Sequence, residues 1–133
     1  MRILILLFII AFILSIGNLC FLEGNQKIDD LYSWDFGRVR EGSILKHAFT
    51  LKNDSENPLI INKLQTSCGC TASVASSYEI PAGKTSQIAV TFNTKGYSGK
   101  VNQFVYVHTS DAKNPIIKLT VKAEILKPIK GGC

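Results

Sequence analysis

The side chains best suited to chemistry are the thiols of Cys68 and Cys70, which are separated only by Gly69. Residues i and i+2 of an extended strand point to the same face, so the two sulfurs would project side by side. That extended spacing approaches the upper end of the roughly 4.4–6.8 Å Cα separation that a disulfide tolerates. A positive φ at Gly69 would instead kink the chain and let the sulfurs close on one another.

The spacing leaves three interpretations of this pair open. A disulfide between Cys68 and Cys70 would be strained and therefore labile, because strain raises its reduction potential. As a metal site, two thiolates on one face suit copper(I), to which His47 or His108 could add a nitrogen ligand, whereas zinc would want four ligands. In the structural interpretation, both cysteines are small, half-buried residues that close a strand, or one of them pairs with Cys20 or Cys133.

The predicted site consists of Cys68, Gly69, Cys70 and Thr71 at a strand end, where functional residues are commonly displayed. Its default prediction has no cofactor, and copper is the alternative. His47 and His108 are each expected to be ordinary outward strand residues.

The first residues of the chain predict export from the cytoplasm. Met1-Arg2 gives a positive start, an apolar run follows from 3 to 14, and Ser15-Ile16-Gly17 places small residues where a signal peptidase cleaves. We therefore predict a signal peptide over 1–17, with an uncleaved membrane anchor over 1–22 as the alternative. Lipid attachment at Cys20 is a third alternative, although the residues before it match a lipobox poorly.

All three alternatives place the rest of the chain in the periplasm or outside the cell, where disulfides form. The membrane is then a partner only through the N-terminal segment, if that segment stays uncleaved. At the other end, Cys133 follows Gly131-Gly132, so it is predicted to be an exposed thiol on a flexible tail.

The charge argues against nucleic acid as a partner. The chain carries 15 basic and 10 acidic residues, a formal net charge of +5, and its lysines are scattered singly. A nucleic-acid surface would need a clustered basic stripe with aromatic side chains. Neither a hydrolytic triad around His47 or His108 nor a phosphate-binding loop is visible, so we predict that the protein is not an enzyme.

After a linker over 18–31, apolar residues alternate with polar ones in short segments separated by turn sequences. Ile88, Val90 and Phe92 share one face of such a segment, and Leu119 and Val121 begin another. Six or seven strands of this kind predict an all-β, immunoglobulin-like antiparallel sandwich over 32–127, followed by a tail over 128–133.

Motifs along this domain, taken in order, resemble a known bacterial family. They are DFGRVREG (35–42), FTLKN (49–53), PLII (58–61), TSCGCT (66–71), Ile80 with Ala82-Gly83, and VTFNTKG (90–96) with Gly99. Together they resemble the family catalogued as domain of unknown function 1573, from about Trp34 to Ile125. The resemblance implies an exported or lipid-anchored domain, similar to the immunoglobulin-like domains of major sperm protein and hydin.

A scaffold or adhesive role, without a reaction, is what the resemblance implies about function. The leading hypothesis is therefore a binding module that presents loops or a sheet edge to another envelope protein. The alternative is a copper(I)-binding or thiol-redox accessory protein that uses Cys68 and Cys70.

Overall fold

The structure is a computed structural model that describes residues 31–129. Apolar and polar side chains alternate along each segment. In an extended backbone this puts the apolar side chains on one face, which can then be buried. The strands are β1 (Ser33–Arg40), β2 (Ile44–Lys52), β3 (Leu59–Thr66), β4 (Thr71–Ala75), β5 (Glu79–Ile80), β6 (Thr85–Asn93), β7 (Gly99–Thr109) and β8 (Ile116–Leu126).

These strands form two sheets, one of five strands in the order β1-β8-β7-β3-β5 and one of three in the order β2-β6-β4. All pairings are antiparallel except that of β1 with β8, which is parallel. The predicted sandwich is therefore confirmed in class. It differs in having eight strands, one of only two residues, and in its parallel edge pairing, which depends on contacts distant in the sequence.

The core lies between the two sheets and forms two clusters. The predicted inward faces are confirmed, since Ile88, Val90 and Phe92 are 0–2% exposed and Leu119 and Val121 are 1–2% exposed. The larger cluster holds most of the buried side chains. The smaller one comprises Leu45, Phe92, Ala123 and Ile125, with Phe36, Val39, Cys70, Tyr97 and Val101 packed against it.

Several polar residues of the family motifs hold turns. Buried Asn53 donates from Nδ2 to the carbonyls of Asn57 and Ile80, at 2.8 Å each. Buried Thr94 donates from Oγ1 to the Ser43 carbonyl at 2.9 Å, and its own N–H reaches the same carbonyl. The side chains of these motif residues thus satisfy backbone carbonyls of the turns and of buried Ile80, a structural task.

The predicted signal peptide or anchor, the linker up to residue 30, Cys20 and Cys133 lie outside the described residues. Within 31–129, the structure has no helix long and apolar enough to cross a membrane.

Candidate functional site

Cys68 and Cys70 lie in the turn between β3 and β4, and a disulfide joins them. Both side chains are half-buried, and Gly69 between them is exposed. Of the three interpretations, the bridge within the pair is the one that the structure contains. Neither cysteine therefore pairs with Cys20 or Cys133.

The pair closes by a different route from the one expected. The chain turns after Thr66 instead of staying extended, which brings the two Cα atoms to 5.3 Å, well inside the range for a bridge. The extended spacing on which the expected strain rested is therefore not observed, and the lability of the bridge stays a prediction. Gly69 also lacks the positive φ proposed for it, although five other glycines between residues 31 and 129 have one.

Two hydroxyl groups surround the disulfide. Tyr97 Oη donates to Cys70 Sγ at 2.9 Å and lies 3.7 Å from Cys68 Sγ. Thr71 Oγ1 lies 3.6 Å from Cys68 Sγ and 3.7 Å from Cys70 Sγ. The shortest polar contact of the pair is therefore made to Cys70, which also packs against the smaller core cluster.

Tyr97 is held in place by its own loop. Its N–H donates to the carbonyl of buried Thr94 at 3.1 Å, and its ring meets Phe92 edge-on with centroids 5.4 Å apart. The Gly96 N–H donates to Glu41 Oε1 at 3.0 Å, which ties this loop to the turn after β1. The hydroxyl is therefore positioned beside the sulfurs by packing and hydrogen bonds that do not involve them.

The turn that carries the disulfide is likewise fixed by its backbone. The Ser67 N–H donates to the Phe104 carbonyl and the Asn93 N–H to the Cys70 carbonyl, at 2.9 Å each. Thr66 Oγ1 donates to the Cys68 carbonyl at 3.0 Å. The turn is therefore bonded to β6 and β7 independently of the sulfurs.

A disulfide that closes so short a loop adds little to the stability of the fold. In the chain-entropy model, closing a three-residue loop contributes about 1.6 kcal/mol, against about 3 kcal/mol for a 15-residue loop. Stabilisation of the fold is therefore a poor explanation for this disulfide.

The two histidines do not join the pair in a metal site. Within residues 31–129, no group of three or more His, Cys, Asp or Glu side chains could hold a metal ion. Copper(I) held by the two thiolates alone would require the reduced pair and stays a prediction.

His108 is a half-buried residue of β7 on the face opposite buried Val105 and Val107, as expected. His47 instead belongs to the inward face of β2, with Leu45 and Phe49, so the prediction of an outward residue is wrong. Successive side chains of a strand point to opposite faces, so His47 points to the same face as Leu45 and Phe49.

His47 connects the edges of the two sheets. Its ring stacks on Trp34 of β1 with centroids 4.1 Å apart and planes 10° apart, and it meets Phe49 edge-on at 4.7 Å. Burial lowers the pKa of His47 from its ordinary value of 6.5. Burial therefore favours the neutral imidazole in this stacked arrangement.

This arrangement predicts a pH-dependent fluorescence change, because Trp34 is the chain's single tryptophan and protonated imidazole quenches indole. As the pH is lowered, the Trp34 emission should fall, and the midpoint of this fall should lie at a pH below 6.5, the ordinary pKa of His47. The folded protein binds this proton less readily than the unfolded protein does. The contribution of His47 to the free energy of unfolding is therefore fully present above pH 6.5 and is lost as the pH falls through the lowered pKa. His47→Gln should abolish the transition, and a midpoint above 6.5 would contradict the prediction.

A second feature adjoins the disulfide: β4 is an edge strand without charge. From Ser67 to Tyr78 the sequence has no ionisable acid or base except the Tyr78 hydroxyl and the bridged cysteines. Val74 is 57% exposed on its outer face. The other long edges differ, since β1 carries Asp35, Arg38 and Arg40, and β2 carries Lys46 and Lys52.

The hydrogen-bond pattern shows which backbone groups of β4 face the open edge. The Cys70 carbonyl accepts from Asn93 and the Ser76 N–H donates to Gln87, both on β6. Antiparallel pairing alternates these bonds along the strand, so even-numbered residues bond to β6. The N–H and C=O groups of Ser73 and Ala75 therefore point away from the sheet.

Comparison with solved structures shows that the fold is similar to immunoglobulin-like, PapD-like β-sandwiches. A protein of unknown function from Porphyromonas gingivalis W83 aligns with a TM-score of 0.63 and 20% identity, covering 70% of this chain and 44% of that one. A PapD-like domain of human CEP192 gives 0.54 and 13%, covering 73% and 82%. The secreted serine protease VesC from Vibrio cholerae gives 0.55 and 14%, covering 69% and 21%.

The chain belongs to the family described as protein of unknown function (DUF1573), whose model matches residues 29–125. This confirms the resemblance read from the motifs. No curated protein matches the chain. The chain spans less than half the length of the Porphyromonas and Vibrio proteins, and at these identities the likeness shows the fold alone.

Two features of the site were missed by reasoning on the sequence. Tyr97 is 27 residues from Cys70, and only its place in the KGYSG turn could have drawn attention to it. The uncharged run from Ser67 to Tyr78 is visible in the sequence, but its edge position is not.

Proposed function

We propose that the protein is an exported, non-enzymatic binding module that takes up an extended segment of an envelope protein along β4. The observation that carries the proposal is the uncharged open edge with outward Ser73 and Ala75 backbone groups. Free edges usually carry charge, proline or a bulge that blocks pairing, and β4 has neither charge nor proline. Strand addition is an established mode of peptide recognition.

The outer face beside this edge suits a partner strand with small or apolar side chains. Val74 on β4 is paired with Ala89 on β6, which is paired with Ala48 on β2, and all three are exposed. A strand added to β4 would extend this row, and its side chains would pack against Val74.

A photo-crosslinking experiment tests the edge. A benzophenone amino acid at Ala72, in the full chain in its native envelope, should give an adduct of one recurring mass that the same probe at Ile116 does not give. Ser73→Pro should abolish the adduct because it removes an outward N–H and leaves the bonds to β6. Val74→Lys should weaken it, whereas Ile44→Lys, at the comparably exposed start of β2, should not.

Equal adducts from both probe positions, or an adduct that survives Ser73→Pro in a folded variant, would contradict strand addition. An adduct of the chain with itself would replace the envelope partner by a second copy.

Export rests on the N-terminal residues and has its own measurement. The intact mass of the protein from its cell envelope should equal that of residues 18–133, with two hydrogen atoms fewer for the Cys68–Cys70 bridge. A full-length mass would favour the anchor, and a mass increased by lipid would favour attachment at Cys20. Recovery of the chain from the cytoplasm alone would refute export.

A further inference from the structure

We infer that the Cys68–Cys70 disulfide is a thiol–disulfide exchange site that accepts electrons from protein thiols. Its components are the bridge, the Tyr97 hydroxyl 2.9 Å from Cys70 Sγ, and the Thr71 hydroxyl 3.6–3.7 Å from both sulfurs. The inference does not depend on strand addition at β4, and the reaction is stoichiometric, with one disulfide consumed for each dithiol oxidised, so it is not catalytic turnover. The substrate class is an exported protein with two neighbouring cysteine thiols.

The contacts of the two sulfurs assign different roles to them. Cys70 packs against the smaller core cluster and accepts the short hydrogen bond from Tyr97, whereas Cys68 is not part of that packing. An exchange reaction goes fastest when the departing thiolate is stabilised, and a hydrogen bond to an anion is stronger than one to a neutral acceptor. Cys70 is therefore the leaving group, and Cys68 is the sulfur that an incoming thiolate attacks.

The reaction balances without a further reagent. A substrate thiolate attacks Cys68 Sγ, the bond between Cys68 and Cys70 breaks, and Cys70 leaves as a thiolate that accepts the Tyr97 O–H. The second substrate thiol, losing its proton, then attacks the substrate sulfur of the mixed disulfide, and Cys68 leaves as a thiolate. The substrate loses two electrons and two protons, and the pair takes up both to become two thiols.

The surroundings allow the bond to open while the fold persists. The Cys70 carbonyl stays bonded to Asn93, and the Ser67 N–H stays bonded to Phe104. Tyr97 is fixed by Thr94 and Phe92, so its hydroxyl is in place before the thiolate forms. Such preorganised donors lower a barrier without moving during the reaction.

The test uses the full chain in detergent, with Cys20→Ser and Cys133→Ser in every sample so that only the pair reacts. Reduced glutathione is the monothiol probe for the attack, and dithiothreitol is the dithiol that completes the reaction. Samples quenched with N-ethylmaleimide are read by mass spectrometry. We expect glutathione on Cys68 and maleimide on Cys70 in the trapped intermediate, and two free thiols after dithiothreitol.

The decisive variant is Tyr97→Phe, which keeps the ring against Phe92 and removes the hydroxyl. We expect it to slow opening of the disulfide about tenfold or more, since a hydrogen bond to a charged group is lost from the departing thiolate. Tyr106→Phe on β7 is the matched control and should leave the rate unchanged. A purely structural tyrosine would alter the melting temperature of the variant without this selective loss of rate.

Three results would overturn the inference. The first is a pair that resists both thiols until the protein is denatured, the second is glutathione found on Cys70, and the third is an unchanged rate in a folded Tyr97→Phe variant. Because the experiment uses small thiols, failure at the β4 edge would not affect its outcome.

Discussion

Asn53→Asp should lower the free energy of unfolding by about 3–5 kcal/mol at pH 7. Asn53 is 2% exposed, and its Nδ2 donates to the Asn57 and Ile80 carbonyls at 2.8 Å each. Aspartate has nearly the same shape but puts an acceptor oxygen where the donor was. The Ile80 carbonyl loses this donor, the Asn57 carbonyl keeps only the one from Ser55 Oγ at 2.8 Å, and a buried negative charge faces both.

The pH dependence of this variant distinguishes the mechanism from a packing defect. The carbonyls disfavour the carboxylate, so the introduced carboxyl should have a raised pKa in the folded state. The loss of stability should therefore be largest above that pKa and smaller as pH falls through it, because the protonated acid can donate one hydrogen bond.

Urea denaturation of the variant at several pH values is the measurement. Asn57→Asp is the matched control, since the Asn57 side chain is exposed and only its carbonyl is used, so the cost should be within about 0.5 kcal/mol. Equal losses in the two variants, or a loss at Asn53 that does not vary with pH, would contradict this account.

Phe92→Ala should cost about 3–5 kcal/mol, the range for deleting a buried aromatic side chain and leaving a cavity. Phe92 is 1% exposed, belongs to the smaller core cluster and contacts the Tyr97 ring. The change therefore removes the packing that supports both the cluster and the tyrosine beside the disulfide. A loss of this size is a large fraction of the stability of a typical domain.

Phe104→Ala is the matched control, because it makes the same replacement at a phenylalanine that is not fully buried. Phe104 is half-buried on β7, with Lys118 Nζ 4.0 Å from its ring centroid, so its truncation should cost only about 1 kcal/mol. Both variants are measured by chemical denaturation. Their free energies of unfolding can be compared if these depend on denaturant concentration with the same slope. A cost below about 1.5 kcal/mol at Phe92 would show that the smaller cluster collapses around the cavity.

The sequence by itself determined the architecture and the position of the cysteine pair. Strand alternation has a period of two residues and acts locally, so the inward faces of β6 and β8 could be predicted from neighbours alone. The pair was predicted to lie at a strand end, and the structure places it directly after β3, in the turn that leads into β4. The family could be recognised for the same reason, because its motifs lie at these turns and strands.

Tertiary structure decided what the pair can do. The turn at Gly69 brought the two sulfurs together, and packing of the loop after β6 brought the Tyr97 hydroxyl to Cys70 from 27 residues away. The parallel pairing of β1, the stacking of His47 on Trp34 and the open edge of β4 depend equally on which strands become neighbours. Such contacts join residues distant in the chain, and local spacing carries no information about which of them form.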